Sequence, residues 1–350
     1  MLYLKPNPEL YNVPSKIADF HGMPYRQLGK SGLRTSAVGL GTWKYGYPET
    51  GDGARVNEKQ AMEIFDRAWE LGVALWDTAN RYNAASGNSE RLIGQWFHNN
   101  PEKRRDIVLA TKVWGGMDGR TPNHWGLSRG NILDSVHACL ERLQTDHIDL
   151  LYFHRPDPLV SIDESLLTVE DLIREGAVRY FAVSNADAET LRDYNRFIQE
   201  SAPLRTRICA VQNRFDLIRG EAPAEQGVLE YAKEENIAFI AWSPLGQGLL
   251  TGRYNDKDKI AKGDRLFDEN GLGILDSEAV MEKLHFLADY AGALGVSMAT
   301  LALAIMLHTP GMGPVIPAAS NVQQLEQNAA AASVALSPEQ LEQIRQVLVK

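Results

Sequence analysis

The chain has two cysteines, Cys139 and Cys209, in 350 residues, too few for a disulfide-stapled scaffold. Cys139 falls in a helical apolar stripe and Cys209 in a strand-like run, so both read as buried thiols rather than a bridge or a catalytic group. Such sparing use of cysteine fits a reducing compartment, and a cytoplasmic location is expected. Long apolar runs are missing as well, and none reaches the roughly 20 residues a membrane helix needs. The opening Met1-Leu-Tyr-Leu-Lys-Pro-Asn-Pro lacks a signal-peptide core. Basic charge is in deficit, with 36 Lys and Arg against 45 Asp and Glu and a net charge of −9. That balance disfavours nucleic acid and anionic membrane surfaces as partners. His98, His124, His137, His147 and His154 have no paired spacing such as H-E-x-x-H, so no metal is expected. Ser184 has no His–Asp pattern that would make it a nucleophile. The early glycines Gly39, Gly41 and Gly46 miss the G-x-G-x-x-G spacing of a Rossmann turn. Gly29-Lys-Ser31 lacks the preceding glycine of a phosphate loop, since Pro24 stands there.

What is present is a regular alternation of strand and helix patterns. Eight short apolar, β-branched runs cover residues 37–41, 73–77, 107–112, 148–154, 178–184, 208–213, 237–243 and 314–317. They are almost continuously hydrophobic, as parallel strands covered on both faces should be. Amphipathic helices are predicted at 57–71, 128–143, 163–175, 187–200 and 224–235, with Asn57, Ser128, Asp163 and Asp187 as N-caps. Four more follow at 277–295, 298–308, 322–332 and 338–348. Eight βα units without a Rossmann fingerprint favour a closed (β/α)8 TIM barrel over an open doubly wound sheet. The stretch 244–278 is rich in glycine and charge, has little periodicity and follows the seventh strand, so it reads as a lid loop. The organisation predicted is an N-terminal extension, 1–22, draped on the body and offering a subunit contact, then one barrel domain, 23–350. A homo-oligomer is allowed.

Barrel enzymes place their chemistry at the carboxyl ends of the strands. The second strand ends in Asp77, with Tyr82 five residues on; the third ends in Lys112 and the fourth in His154. Neighbouring strands lie about 4.8 Å apart, so these four side chains can converge. Tyrosine, with an ordinary pKa of about 10, is too weak an acid to act efficiently near neutrality. An ammonium beside it would lower that value. Lys112 supplies one, Asp77 would hold it charged, and His154 could bond the substrate oxygen. A set of this kind passes a proton to a carbonyl oxygen as hydride reaches the carbon.

From Met23 onward the sequence resembles the aldo-keto reductase superfamily, on several motifs in order. These are Tyr25-Arg-Gln-Leu-Gly-Lys-Ser-Gly-Leu33, Gly39-Leu-Gly-Thr-Trp43, Trp76-Asp-Thr-Ala-Asn-Arg-Tyr82 with Gly87-Asn-Ser-Glu90, and Ala110-Thr-Lys112. After them come Ile148-Asp-Leu-Leu-Tyr-Phe-His154, Val183-Ser-Asn185, Val211-Gln212, Ala241-Trp-Ser-Pro-Leu-Gly246 and Ile316-Pro-Ala-Ala-Ser-Asn321. The lid and the last motif look closest to the potassium-channel β-subunit-like and bacterial aldose-reductase-like branches. The resemblance implies an N-terminal β-hairpin, two C-terminal helices, and a tetrad of Asp77, Tyr82, Lys112 and His154. It implies that Ser184, Asn185 and Gln212 bond a nicotinamide carboxamide and that Trp242 stacks on the ring. Gly41, Thr42, Trp43, Ser243, Pro244, Leu245, Gly246, Gly248 and Leu249 would border the cofactor, the glycines letting backbone approach a pyrophosphate. Arg253 and Arg265 match positions that meet a 2′-phosphate. Ser320 opens a helix whose N-terminus suits an anion, and Gln324 and Asn328 match adenine-side positions. NADPH/NADP+ is therefore expected before NADH. Gln327 departs from the pattern, standing where glutamate is common.

Trp43, Tyr45, Trp114 and Trp125 fall on loops at the catalytic face, and Arg81 and Arg155 flank the tetrad in sequence. With Tyr82 and His154, Trp43 and Trp114 would line the substrate space. Such walls suit a small polar aldehyde or an aldose, the small-molecule carbonyl partner expected here. Two other functions compete. One is a lyase using Lys112 as a Schiff base. The other is a nicotinamide-nucleotide-sensing subunit with little turnover.

Overall fold

The computed structural model describes residues 7–11, 13, 18–117, 119–201, 204 and 206–348. Half of the expected extension, residues 1–6, 12 and 14–17, lies outside these. The chain enters through a small antiparallel sheet of Asp19–Phe20, Met23–Gln27 and Arg34–Ser36. Its first strand pairs Phe20 with Met23 and was not signalled by any periodicity, being two residues long. The hairpin tip pushes Leu28 into the bottom of the barrel, where it is fully buried. A Cβ on Gly29 would sit 2.5 Å from Asn236 O, so the tip can approach this closely only with glycine.

Eight parallel strands follow: β1 Leu40–Gly41, β2 Leu75–Asp77, β3 Val108–Val113, β4 Ile148–Phe153, β5 Val178–Ser184, β6 Ile208–Asp216, β7 Ala238–Trp242 and β8 Met312–Ile316. Each pairs with its neighbour in sequence order. The ring closes where Val38 bridges Val315 and Gly41 bridges Ala318, again in parallel. At that seam Gly39 N donates to Val315 O at 2.8 Å and Val315 N to Ala37 O at 3.1 Å. The result is the (β/α)8 TIM barrel that the alternation predicted.

Period-two alternation of side chains decides what reaches the mouth. Leu75, Ala110, Leu150, Tyr152, Ala182, Ala210, Ala238 and Ile240 fill the interior with Leu28. The residues between them, such as Trp76, Leu109, Leu151, Phe153 and Val183, belong to the outer core under the helices. Trp76 stacks on Phe65 with centroids 4.7 Å apart and meets Trp96 edge-on at 4.7 Å. Two residues beyond Leu75, Ala110, Ala182 and Ala210 come Asp77, Lys112, Ser184 and Gln212. They form the next inward layer, at the carboxyl end.

The outer ring begins with α1 Glu58–Glu70, whose Asn57 cap and Gln60 form a capping box. The next helix, α2 Asn88–Asn99, is an addition to the expected set. Its Leu92, Ile93, Trp96 and Phe97 carry a helical spacing and are buried; that signal lay just beyond the motif around Tyr82. Then come α3 Arg129–Arg142, α4 Ile162–Glu175, α5 Ala188–Glu200 and α6 Val228–Glu235. Ser128 and Asp187 cap as expected. Ser161 rather than Asp163 precedes α4 as its cap residue, and Asp163 stands in the first turn, where it suits the helix dipole. Residues 224–227 lie before α6, because Pro223 nucleates a short 3-10 turn and Gly227 takes a left-handed cap. After β7 the lid is a chain of short turns, Gly246–Thr251, Lys257–Lys259, Arg265–Asp268 and Leu272–Asp276. It leads into α7 Glu278–Ala293 and α8 Met298–Leu307. Every residue of α8 is buried, which explains why its sequence is apolar on all sides. After β8 come α9 Val322–Ala330 and α10 Pro338–Leu348. Both thiols are free and buried, and burial pushes Cys209 up to about 12, so neither is reactive.

Candidate active site

The layer above the barrel core brings Asp77, Tyr82, Lys112 and His154 to one side of the mouth. Lys112 is fully buried, and its Nζ donates three hydrogen bonds: to Asp77 Oδ1 at 2.5 Å, Tyr82 Oη at 2.8 Å and Thr78 O at 2.9 Å. Tyr82 in turn donates to Asp77 Oδ1 at 3.3 Å. From across the barrel Gln212 Nε2 donates to Asp77 Oδ2 at 2.7 Å. Both carboxylate oxygens are therefore occupied, as a buried charge requires. The Tyr82 and His154 rings meet edge to face with centroids 6.1 Å apart.

Electrostatics correct one expectation. Burial first, then the Asp77 carboxylate, raises the Tyr82 phenol well above its ordinary value. Burial likewise lowers Lys112, and Asp77 opposes that fall. The ammonium does not acidify the phenol in the resting site because Asp77 already balances it 2.5 Å away. The phenol is held protonated, the form in which it can give a proton away. His154 is lowered to about 3 by burial, then by Lys112, Arg155 and Arg81, so its ring is neutral at physiological pH. A neutral imidazole still donates one N–H.

Beside the four runs a second network. Ser184 Oγ donates to Gln212 O at 2.7 Å. Asn185, in a left-handed conformation that its short polar side chain tolerates, donates through Nδ2 to His154 O at 2.7 Å and Ser184 Oγ at 3.1 Å. Trp242 Nε1 donates to Asn185 Oδ1 at 3.1 Å. The groups expected to meet a carboxamide are thus tied to one another. What they leave for a ligand is acceptor capacity on the Ser184 and Asn185 oxygens, which matches an amide NH2.

These side chains line one end of a cleft of about 1430 Å³. The cleft continues past Gly41, Trp43, Trp242, Ser243, Pro244, Leu245 and Gly248 to Arg253, Arg265, Ser320, Gln324 and Asn328. Four residues expected at it do not line it. Thr42 is buried behind it, donating to Asp77 O at 2.9 Å and sharing a hydrogen bond with Ser89. Gly246 and Leu249 are buried inside the lid turn. Trp114 packs edge-on against Trp125 at 4.9 Å with Arg155 stacked 3.7 Å from its ring.

The lining also includes residues that motif reading passed over. Lys44, Arg55, Gln247, Thr251 and Tyr254 border the cleft. Arg55 reaches Asp268 of the lid at 2.8 Å, and Arg265 lies 4.7 Å over the Trp43 ring. Lid and first βα loop are thereby clasped over the cleft. Arg55 has no local signal, since its partner is 213 positions away. Arg253 and Arg265 line the cleft as well, and pair with Asp264 at 2.8 Å and Glu269 at 3.0 Å. Gln324 Oε1 accepts from Ser320 N at 2.8 Å, so part of the α9 start is satisfied by its own cap.

Amide-accepting groups and an aromatic face, a left-handed turn through Gly246, Gln247 and Gly248 and the lid cations fit a dinucleotide. Its nicotinamide would lie beside Tyr82.

A sequence profile described as the aldo/keto reductase family matches residues 37–349. The chain belongs to the aldo/keto reductase family. A probable voltage-gated potassium channel subunit beta of Arabidopsis thaliana is 32% identical over 342 residues, covering 93% of this chain and 97% of its own. Versiconal hemiacetal acetate reductase of Aspergillus parasiticus is 28% identical over 359 residues, with coverage of 93% and 97%. An uncharacterized oxidoreductase of Bacillus subtilis is 32% identical over 341 residues, with coverage of 93% and 96%. As an aldo/keto reductase the chain is an oxidoreductase, and its family generally uses NAD(P)H. The cleft's acceptors, cations and turn fit that cofactor class.

Proposed function

We propose that this chain is an NADPH-dependent carbonyl reductase acting on small polar aldehydes or aldoses, with Tyr82 as the general acid. The observation that carries the reading is the contact of the Tyr82 phenol with a buried Lys112–Asp77 pair inside the cleft. A bound nicotinamide cofactor supplies hydride to the carbonyl carbon. Tyr82 gives its proton to the carbonyl oxygen. The phenolate that remains is met by the Lys112 ammonium 2.8 Å away, which favours charge on that oxygen only once the proton has left. Asp77, fixed by Gln212, keeps Lys112 charged and aimed. Neutral His154 orients the carbonyl by donating to its oxygen. Arg253 and Arg265 support NADPH over NADH, as lid cations that line the cleft.

The test is NADPH oxidation with glyceraldehyde, glyoxals and benzaldehydes by wild type and Tyr82→Phe. The expected loss is about 10²- to 10⁴-fold in kcat, the scale of general acid catalysis. A Tyr82→Phe enzyme of unchanged rate would overturn the reading.

A second reading, a nucleotide-sensing subunit with little turnover, is favoured by the channel-subunit names of three relatives. Tight NADPH binding with no turnover of any carbonyl would decide for it. The Schiff-base reading is disfavoured by Lys112 itself, whose three N–H groups are all engaged.

A further inference from the structure

The arginines around the cleft are not alike. Arg55, Arg253 and Arg265 each hold a carboxylate, Asp268, Asp264 and Glu269. Arg81 lines the cleft directly before Tyr82 and pairs with no carboxylate among the described residues. Its guanidinium is nonetheless fixed. Nη1 donates to Gly116 O, and the group stacks on Trp125 with Cζ 4.7 Å from the ring centroid. Trp125 rests edge-on against Trp114, over whose ring Arg155 is stacked. The backbone beneath is pinned too: Asn80 N donates to Lys112 O at 3.1 Å and Asn80 Nδ2 to Gly115 O at 3.0 Å.

A guanidinium has five N–H donors in a rigid fork. One of these donates to Gly116 O, and Arg81 lines the same cleft as Tyr82 and His154. Because Asp77 balances Lys112, the charge in excess at this end belongs to Arg81 and, further out, Arg155. Both help to keep His154 neutral. A chain of net charge −9 therefore presents a local positive patch beside its proton donor. An immobilised, uncompensated arginine at a reaction centre is a receptor for an oxyanion.

We propose that the carbonyl substrate carries an anionic oxygen group, a carboxylate or a phosphate, that docks on Arg81 while its aldehyde faces Tyr82. The inference rests on the reductase reading and names its substrate class: an acidic aldehyde rather than a neutral aldose.

The experiment compares matched pairs with NADPH: butanal against 4-oxobutanoate, and glyceraldehyde against glyceraldehyde 3-phosphate. Wild type is expected to favour the anionic member of at least one pair by about 10- to 100-fold in kcat/KM, mostly through KM, as for charge-assisted hydrogen bonds. The pair that shows the preference tells carboxylate from phosphate. In Arg81→Gln the ratio falls to near one, and Arg81→Lys lies between. A wild-type ratio near one, with neutral aldehydes reduced, overturns the inference and leaves the reductase standing. An equal loss on both members in Arg81→Gln, with a lowered Tm, makes Arg81 a strap for the Gly116 loop and also overturns it. If no aldehyde is turned over, the reductase reading fails. Quenching of tryptophan fluorescence by succinate or phosphate added to the NADPH complex then decides. Saturable quenching lost in Arg81→Gln supports the anion site, and identical titrations overturn it.

Discussion

Asp77 Oδ1 and Lys112 Nζ meet at 2.5 Å with their side chains 3% and 1% exposed. Neither charge has solvent to fall back on, so each depends on the other. Lys112→Met leaves Asp77 charged, buried and short of a partner, a change that costs about 3–5 kcal/mol for a broken buried pair. It also removes the cation that receives the phenolate. The expected result is a lowered Tm together with a loss of at least ~100-fold in kcat. Calorimetry and turnover measured on the same preparation check both. Asp77→Asn with Lys112→Met is expected to recover part of the Tm but none of the activity, which separates the structural debt from the catalytic one.

The pH profile of reduction follows from two opposed shifts. Tyr82 is held protonated far above neutrality and His154 deprotonated down to about 3. Neither group changes state across roughly pH 5 to 9, so kcat/KM for reduction is expected to be flat there. Initial rates at constant ionic strength check it. A limb with a midpoint near 6.5, absent in His154→Gln, would show that His154 titrates and would contradict the geometry.

The same histidine sets a stability trend. Its folded value, about 3, lies below the ordinary 6.5 of an unfolded chain. Between those values the unfolded state binds the proton and the folded state does not, so stability is lost as pH falls from about 6.5 toward about 3. Thermal melts at intervals over that range should decline for wild type and more shallowly for His154→Gln.

Arg253 and Arg265 line the cleft in the lid, each held by a lid carboxylate. If they receive a 2′-phosphate, their exchange for alanine weakens NADPH and spares NADH. A double variant is expected to raise the NADPH Kd by about 10- to 100-fold, the scale of charge-assisted bonds. Fluorescence titration of both nucleotides checks this. Their pairing with Asp264 and Glu269 keeps the effect toward the lower figure, because the phosphate has to displace those carboxylates.

The strands were legible because each carries its own local signal, an apolar run bounded by turns. The tetrad was legible because strand ends converge in any barrel of this kind. The pairing of Gln212 with Asp77 was not, since it joins β6 to β2 across the interior and no spacing encodes it. The state of Tyr82 was misjudged for a related reason. Sequence placed Lys112 beside the phenol but gave no weight to how tightly Asp77 already balances it. Trp114 was placed on the right loop, but its direction depends on Trp125 and Arg155, residues 11 and 41 positions on. Helix α2 had a readable stripe, Leu92, Ile93, Trp96 and Phe97, in a stretch read for chemistry instead.

The seam between Val38 and Val315 has a bearing on how the molecule is made. A ring whose last strand seals against its first cannot be completed by a nascent chain until synthesis has passed Ala318, the outermost bridging residue. Until then β1 and the newest strand are open edges, able to pair with other chains. The final contact spans most of the polypeptide, so closure is a late and slow event. Pausing or premature termination near the lid leaves a seven-strand arc, and that arc is the species a chaperone has to shelter.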